Sequence, residues 1–564
     1  MEGVVRAAAR RGRAAWRALT DRQPAPRPGA ARPGPAALAK RSDPVPALQP
    51  FPDALYVFAV GGLPRNFAGR TSSIFAKARL FKQLAGVDSV ALTFNHSSEL
   101  DDVTHLFRER GSVIDGVTTV NLLDHMPDDT ERSGEPIRYE LAEPGMHPIK
   151  DADQELYRFY DADGVYRLYK RFDYAGRLIV RDWFTENRNR TRRDEFRLDG
   201  TIRRTVYMDL VHNRPRQDIY YRKDGTPHFN LWRAIDEETT LPYIERVTLF
   251  DADGRPSRVL GGYDEILHAC LDNYLAGRKA FICTEGRDID QWMLTYHRPN
   301  VKRLFLLHNT HIRPPYDNIK RIRPSYKGLF EHREDVDATV FLTVTQRAEA
   351  EAVYGRQSNF YVVPHAAPAV TEVPDVERDP NLVIMMARLD PQKQLDHALQ
   401  AWQRVHKQLP QARLEIYGRG PLQTQLADQI KQLKLGDSVT LAGFTTDPHS
   451  VYRRAGLCMM TSKYEGAPLT LLEAFALGCP VISYDLRYGP ADIIDDGVNG
   501  FLVPYGDRKA MADAVVRCLN DPALLARLSA GTARAAAQFT PESFVARWSG
   551  IYNELHARGW DDRP

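Results

Sequence analysis

The sequence predicts an α/β protein of two Rossmann-like halves, with an antiparallel β-meander domain inserted into the first half. Three observations carry this. Short apolar runs, each leading through a turn into a helix-forming stretch, recur on both sides of the chain, as strands buried on both faces of a parallel sheet require. Between them, from Glu155 to Val259, aromatic or aliphatic residues alternate with charged ones and are punctuated by Asp/Gly turns. The 564 residues also exceed what one hydrophobic core accommodates.

Composition narrows the class. The chain is 43% hydrophobic and 26% charged, with a mean hydropathy of −0.44. No apolar run approaches the roughly 18 residues of a spanning helix. The net charge of +3 is unevenly placed. Residues 1–43 hold ten Lys/Arg against three Asp/Glu, while the remainder holds 66 basic and 70 acidic residues, so the body is not expected to bind nucleic acid. Five cysteines, Cys270, Cys283, Cys458, Cys479 and Cys518, are scattered and form no C-x2-C pair. That pattern predicts reduced thiols in a cytoplasmic protein rather than disulfides or zinc.

Residues 1–50 read as a disordered basic tail rich in Ala, Arg and Pro. The alternative is a basic helix over 3–19, carrying Trp16 and Leu19, that rests on the anionic inner face of a membrane. The first Rossmann-like domain is expected over 51–130 and 259–365. It opens with the apolar strand Ala54–Val60 and a glycine loop, Gly61 to Gly69, after which Arg70–Ser73 can cap a helix through Leu84. Strands over Val90–Phe94 and Val117–Leu123 follow, with a helix over Glu99–Arg110 between them.

The insert is expected over 131–258. Its turns include Asp161–Gly164, Asp173–Gly176 and Asp251–Gly254, where Asp and Gly supply turn geometry. The Asp-x-Asp triplets lack the later Glu of a calcium loop, and no metal site is assigned. Arg and Tyr are dense here, as on a contact surface for a partner or a polyanion; a solvated sheet face is the alternative.

The α/β rhythm resumes with a helix over Tyr263–Leu275, a strand over Ala280–Cys283 and a strand over Arg303–Leu307 that ends in His308 and His311. Ligand sites of α/β sheets lie at that strand edge. After the strand Asn359–His365, the second Rossmann-like domain is expected over 366–540, with 541–564 as a helix crossing back and a tail. Its first strand, Asn381–Ala387, leads into Arg388 and Lys393, two cations on one short loop, and a helix from about Gln394 to Gln408. Strands follow over Arg413–Gly418 and Val439–Phe444. Strand Gly456–Met460, a turn-rich loop with Glu465, Gly466, Ala467 and Pro468, and an apolar helix from Leu469 to Leu477 complete the unit. Pro468 suits a first helical position, and the helix is expected to be buried all round. Glu473 sits inside it, and a buried carboxylate requires a polar partner.

The spacing Glu465–x7–Glu473, with Arg388 and Lys393 upstream, resembles the signature of the retaining family-four glycosyltransferases of GT-B fold. The inserted meander resembles the subgroup of poly(glycerol-phosphate) alpha-glucosyltransferases and the catalytic subunits of serine-rich adhesin N-acetylglucosaminyltransferases. The resemblance implies a nucleotide-sugar donor, a UDP-sugar, with no metal or other cofactor. It implies that Arg388 and Lys393 hold the diphosphate, Glu473 the ribose, and Glu465 and His308 the sugar. Gly69, Arg70, Thr71, Tyr417, Gly418, Phe444, Gly466, Ala467, Pro468, Leu469 and Thr470 complete the expected donor site. The expected reaction is hexosyl transfer, of glucose or N-acetylglucosamine, to a teichoic-acid-type cell-wall polymer or other glycan. A protein serine/threonine acceptor is one alternative; a non-catalytic subunit that binds acceptor is another. A partner engaged through the insert, in a homo- or hetero-oligomer, follows from the same resemblance.

Overall fold

The computed structural model describes residues 45–65, 69–127, 134–151, 155–236, 242–368, 370 and 376–560. The expected basic helix over 3–19 lies outside them, as does nearly all of the tail over 1–50.

Two parallel sheets and one antiparallel sheet organise these residues. The first parallel sheet has seven strands, in the order Phe360–Val362, Ala338–Phe341, Val301–Leu307, Ala280–Thr284, Leu55–Val60, Ser89–Thr93 and Val117–Asn121. The second has six: Val439–Gly443, Arg413–Tyr417, Asp379–Met386, Ala455–Met460, Val481–Asp485 and Gly500–Pro504. In both, the chain reverses its direction of sheet growth, so the strand ends at the switch point open a crevice. The continuous apolar runs have the expected cause: Tyr56–Val60 and all of Val301–Leu307 are buried.

The third sheet is a ten-stranded meander in strict chain order, from His147–Lys150 to Pro256–Leu260. At its turns the aspartates accept backbone amides. Asp161 Oδ1 accepts from Asp163 N at 3.1 Å and Val165 N at 2.8 Å, and Gly164 takes the left-handed φ of +74°. Asp173 and Asp251 repeat the arrangement. One face of the meander carries Tyr220, Phe229, Leu231 and Val247 into the same core as Ile266, Leu267 and Leu271 of the helix Asp264–Leu275. The insert is thereby packed on the first half.

The last helix, Pro541–Ala557, also belongs to the first half by packing. Trp548 and Tyr552 stack together and meet Phe81, and Tyr552 also meets Tyr56 and Phe281. All five cysteines are buried and free.

Some expectations are corrected. The sheet begins at His147, earlier than the alternation suggested, because its edge strand is wholly exposed and needs no apolar face. The strand from Val117 stops at Asn121, whose side chain accepts from Leu123 N and starts a 3-10 turn. The first helix starts at Gly69 rather than being capped by Arg70–Ser73; Thr71 and Ser73 are buried within it. Pro468 is the cap residue of the helix Leu469–Ala476 and not its first turn. That helix is not buried all round: Leu469, Thr470, Glu473 and Ala476, spaced as one helical stripe, keep a minor part of their surface exposed.

Candidate active site

The loops that follow the strand ends of the two parallel sheets come together. In the second half, Asp390 accepts from Gln392 N and fixes the short turn Pro391–Lys393. The loop from Ala387 to Leu389 lies so close to the next strand end that a Cβ on Gly418 would stand 1.9 Å from Ala387 O, and one on Gly420 2.4 Å from Leu389 O. Glycine is required at both for the two loops to touch. Arg388 pairs with Asp390 at 2.7 Å while remaining 59% exposed, so its guanidinium stays accessible to a ligand.

Lys393 Nζ lies 2.6 Å from Glu465 Oε1, and this pair is largely shielded from solvent. Gln392 ties the same loops together, donating to Tyr464 O at 3.0 Å and accepting from Lys463 N at 2.7 Å. Gly466 then passes against the first half: a Cβ there would be 2.3 Å from His308 O. Ala467 belongs to the same hydrophobic cluster as Val340 and Val363 of the first half. The Glu465–Pro468 loop is therefore where the halves meet. Thr470 Oγ1 lies 3.5 Å from Met386 O.

Glu473 has the partner its burial demands. The Tyr452 hydroxyl donates to its Oε2 at 2.9 Å. Burial raises the Glu473 carboxyl, and the Tyr452 bond and His449 oppose the rise. Tyr417 and Phe444 stand at adjoining strand ends, where Tyr417 pairs with Gly443. The Tyr417 hydroxyl donates to Glu415 at 2.6 Å, and burial raises its phenol. Phe444 is 59% exposed, with Arg419 over its ring at 5.3 Å.

On the first half, His308 follows the strand Val301–Leu307, and its Nε2 lies 2.6 Å from Glu285 Oε2. Arg70 pairs with Asp288 at 3.6 Å, and the glycine loop packs there: a Cβ on Gly61 would fall 1.8 Å from Asp288 Oδ2. Gly69 is exposed at the helix start, whereas Thr71 is turned into the protein, 3% exposed. The structure thus sets Gly466 against the His308 backbone, with the Lys393–Glu465 pair on the adjoining loops and Arg388 and Glu473 on neighbouring elements.

Sequence reasoning missed two groups. A clasp joins the halves: Glu349 accepts from Arg487 Nε at 2.8 Å and from the Tyr488 hydroxyl at 2.6 Å, and Arg487 also donates to Tyr316 O. Lys77 and Glu285 form a buried ion pair behind His308. Burial alone would raise the Glu285 carboxyl, but Lys77 and His308 hold it well below the usual carboxylate range. A lysine between Ala76 and Ala78, on a helix that also carries Ile74, Phe75 and Phe81, was the available signal.

Residues 370–534 match the family of glycosyl transferases group 1. The second half is a group 1 glycosyltransferase domain. Over 535 residues, covering 90% of this chain and 76% of the relative, the chain is 24% identical to the poly(glycerol-phosphate) alpha-glucosyltransferase of Bacillus subtilis (strain 168). It is 23% identical over 501 residues to the poly(ribitol-phosphate) alpha-N-acetylglucosaminyltransferase of Staphylococcus aureus (strain COL), covering 86% of this chain and 97% of that one. Among solved structures it is similar to TarM, with a TM-score of 0.72, 20% identity, and coverage of 90% of this chain and 100% of that one. It is also similar to the pneumococcal O-GlcNAc transferase GtfA in complex with UDP and GlcNAc, with a TM-score of 0.62, 19% identity, and coverage of 89% and 99%. The architecture is the GT-B fold with an inserted meander, and Arg388, Lys393, Glu465 and Glu473 all lie within residues 370–534.

Proposed function

We propose that this protein is a retaining, metal-independent hexosyltransferase that moves glucose or N-acetylglucosamine from a UDP-sugar to a poly(glycerol phosphate)-type cell-wall polymer or a related glycan. The carrying observation is the seat of the Glu465–Pro468 loop: Gly466, next to the Lys393–Glu465 pair, lies against the His308 backbone of the other half, which supports a site shared by the two.

The chemistry follows from the side chains. Transfer leaves negative charge on the departing diphosphate. Arg388, accessible at its loop, and Lys393 stabilise that charge as it develops, and the backbone amides at the start of Leu469–Ala476 add the helix dipole. Glu473, on the partly exposed stripe of the same helix, accepts from the ribose hydroxyls. Glu465 and His308 orient the sugar from opposite sides of the seam. No enzymic nucleophile is assigned, because the leaving phosphate oxygen can take the acceptor proton on the same face. In sequence, relatives named for polyol-phosphate polymers align over 90% and 86% of this chain, the insert included, and this supports a polymer acceptor. No helix among the described residues is long and apolar enough to cross a membrane. We place the enzyme in the cytoplasm, at the inner membrane face, with the nucleotide-sugar and the polymer as its partners.

The test is turnover with UDP-, GDP- and ADP-sugars, with and without EDTA, for the wild type, Glu473→Gln and Lys393→Ala. One donor consumed regardless of EDTA, with both variants inactive, is the expected result. No turnover of any donor sinks the proposal, and sensitivity to EDTA removes its metal-free part.

A further inference from the structure

The first-half wall of the cleft contains a buried ion pair with no part in the chemistry above. Lys77 lies mid-helix with 2% of its side chain exposed, and Glu285, just past the strand Ala280–Thr284, is fully sealed. The Lys77 ammonium is 4.1 Å from the centre of the Phe58 ring, 4.6 Å from that of Trp548 and 3.8 Å from Cys283 Sγ. Two charges in so apolar a seat are a poor source of stability, because their desolvation consumes what their attraction supplies. Their arrangement has a direction instead. Glu285 Oε1 takes Lys77, and Oε2 takes His308 Nε2.

We propose that Lys77 and Glu285 are positioning residues for His308. Lys77 keeps Glu285 ionised and aimed, and Glu285 fixes the imidazole with Nε2 as its donor. Nδ1, which bonds to none of the described residues, is then the nitrogen presented to a sugar hydroxyl. The far side of the ring is fixed too: His365 stacks on His308 at 5.8 Å and 20°, with Ser73 Oγ 3.4 Å from His365 Nδ1. Burial pushes His365 down to about 3, so the plate behind His308 is uncharged at neutral pH. This inference rests on the reading that His308 faces the donor sugar.

The experiment combines kinetics with nitrogen spectra of the full chain. Glu285→Gln is expected to lower kcat about tenfold or more, as a small misplacement of a contacting group does, with UDP affinity unchanged. His308→Ala combined with Glu285→Gln should lose no more than His308→Ala alone. Lys77→Met strands a buried carboxylate and should lower the melting temperature; Lys77→Met with Glu285→Gln should recover stability but not turnover. Recovery of both, or additive losses with His308→Ala, would show a merely structural pair and overturn the inference. The 15N-histidine spectrum, with His308 assigned from its loss in His308→Ala, should show an Nε2-bound proton that Glu285→Gln shifts. An Nδ1-bound proton in the wild type would refute the proposed geometry whether or not the protein turns over a sugar. Full turnover in His308→Ala would strike the reading of His308 instead, leaving the spectra to judge the pair.

Discussion

Gly466→Ala is the sharpest test of the seam between the halves. Gly466 has no left-handed φ in this structure, so backbone strain is not at issue. The obstacle is space: the added Cβ would lie 2.3 Å from His308 O, 2.7 Å from His308 C and 3.0 Å from Asn309 Cα. All three are backbone atoms and cannot rotate away. Restoring an ordinary contact of about 3.4 Å requires the loop and the first half to part by about 1 Å. That displacement moves the loop bearing Glu465, and with it the Lys393–Glu465 pair, away from His308. A misplacement of about 1 Å costs roughly 100-fold in rate, or about 2.7 kcal/mol of transition-state stabilisation.

Steady-state kinetics with the accepted donor, UDP titration calorimetry and thermal unfolding separate the terms. The expected result is a loss of about 100-fold in kcat/KM. UDP affinity should change less than tenfold, because Glu473 and Tyr417 lie wholly in the second half. Overpacking should cost about 1–3 kcal/mol of stability. Gly436→Ala is the control, since nothing lies within 4 Å of its added Cβ. Wild-type kcat/KM in Gly466→Ala would refute the argument that close approach at this glycine assembles the site.

Three further outcomes follow from the same geometry. Tyr452→Phe removes the bond that opposes the upward shift of Glu473; UDP affinity, measured by calorimetry across pH, should then begin to fall at a higher pH on acidification than in the wild type. Asp290 is pushed up to about 6 by burial, from 3.8, so the folded state holds its proton more tightly than the unfolded chain does. Its contribution to stability therefore declines as pH rises from about 4 to 6, and urea unfolding of Asp290→Asn should lack that decline. Trp548→Ala should cost about 3–5 kcal/mol by emptying the aromatic seat of the terminal helix, with a correspondingly lower urea midpoint.

What could be read from the sequence, and what could not, divides along a physical line. Arg388 and Lys393 share one loop, and Glu465 and Glu473 share one loop and helix, so their spacing is fixed by local backbone geometry and stands in the sequence as a pattern. The meander was legible for the same reason: each Asp/Gly turn is a local event, as at Asp161, and neighbouring strands pair in order. Its first strand escaped notice because His147–Lys150 buries nothing. Lys77, Glu285, His308 and His365 are assembled differently. They sit on one helix and at the ends of three strands separated by up to 288 positions, and only the order of the first sheet makes them neighbours. The polar character of each was visible in the sequence; the identity of the partner was not. A charged residue among apolar neighbours, as at Lys77 or Glu473, therefore announces that a partner exists, and topology decides whether side chains fill its surroundings, as for Lys77, or leave room for a ligand beside the side-chain partner, as for Glu473 with Tyr452.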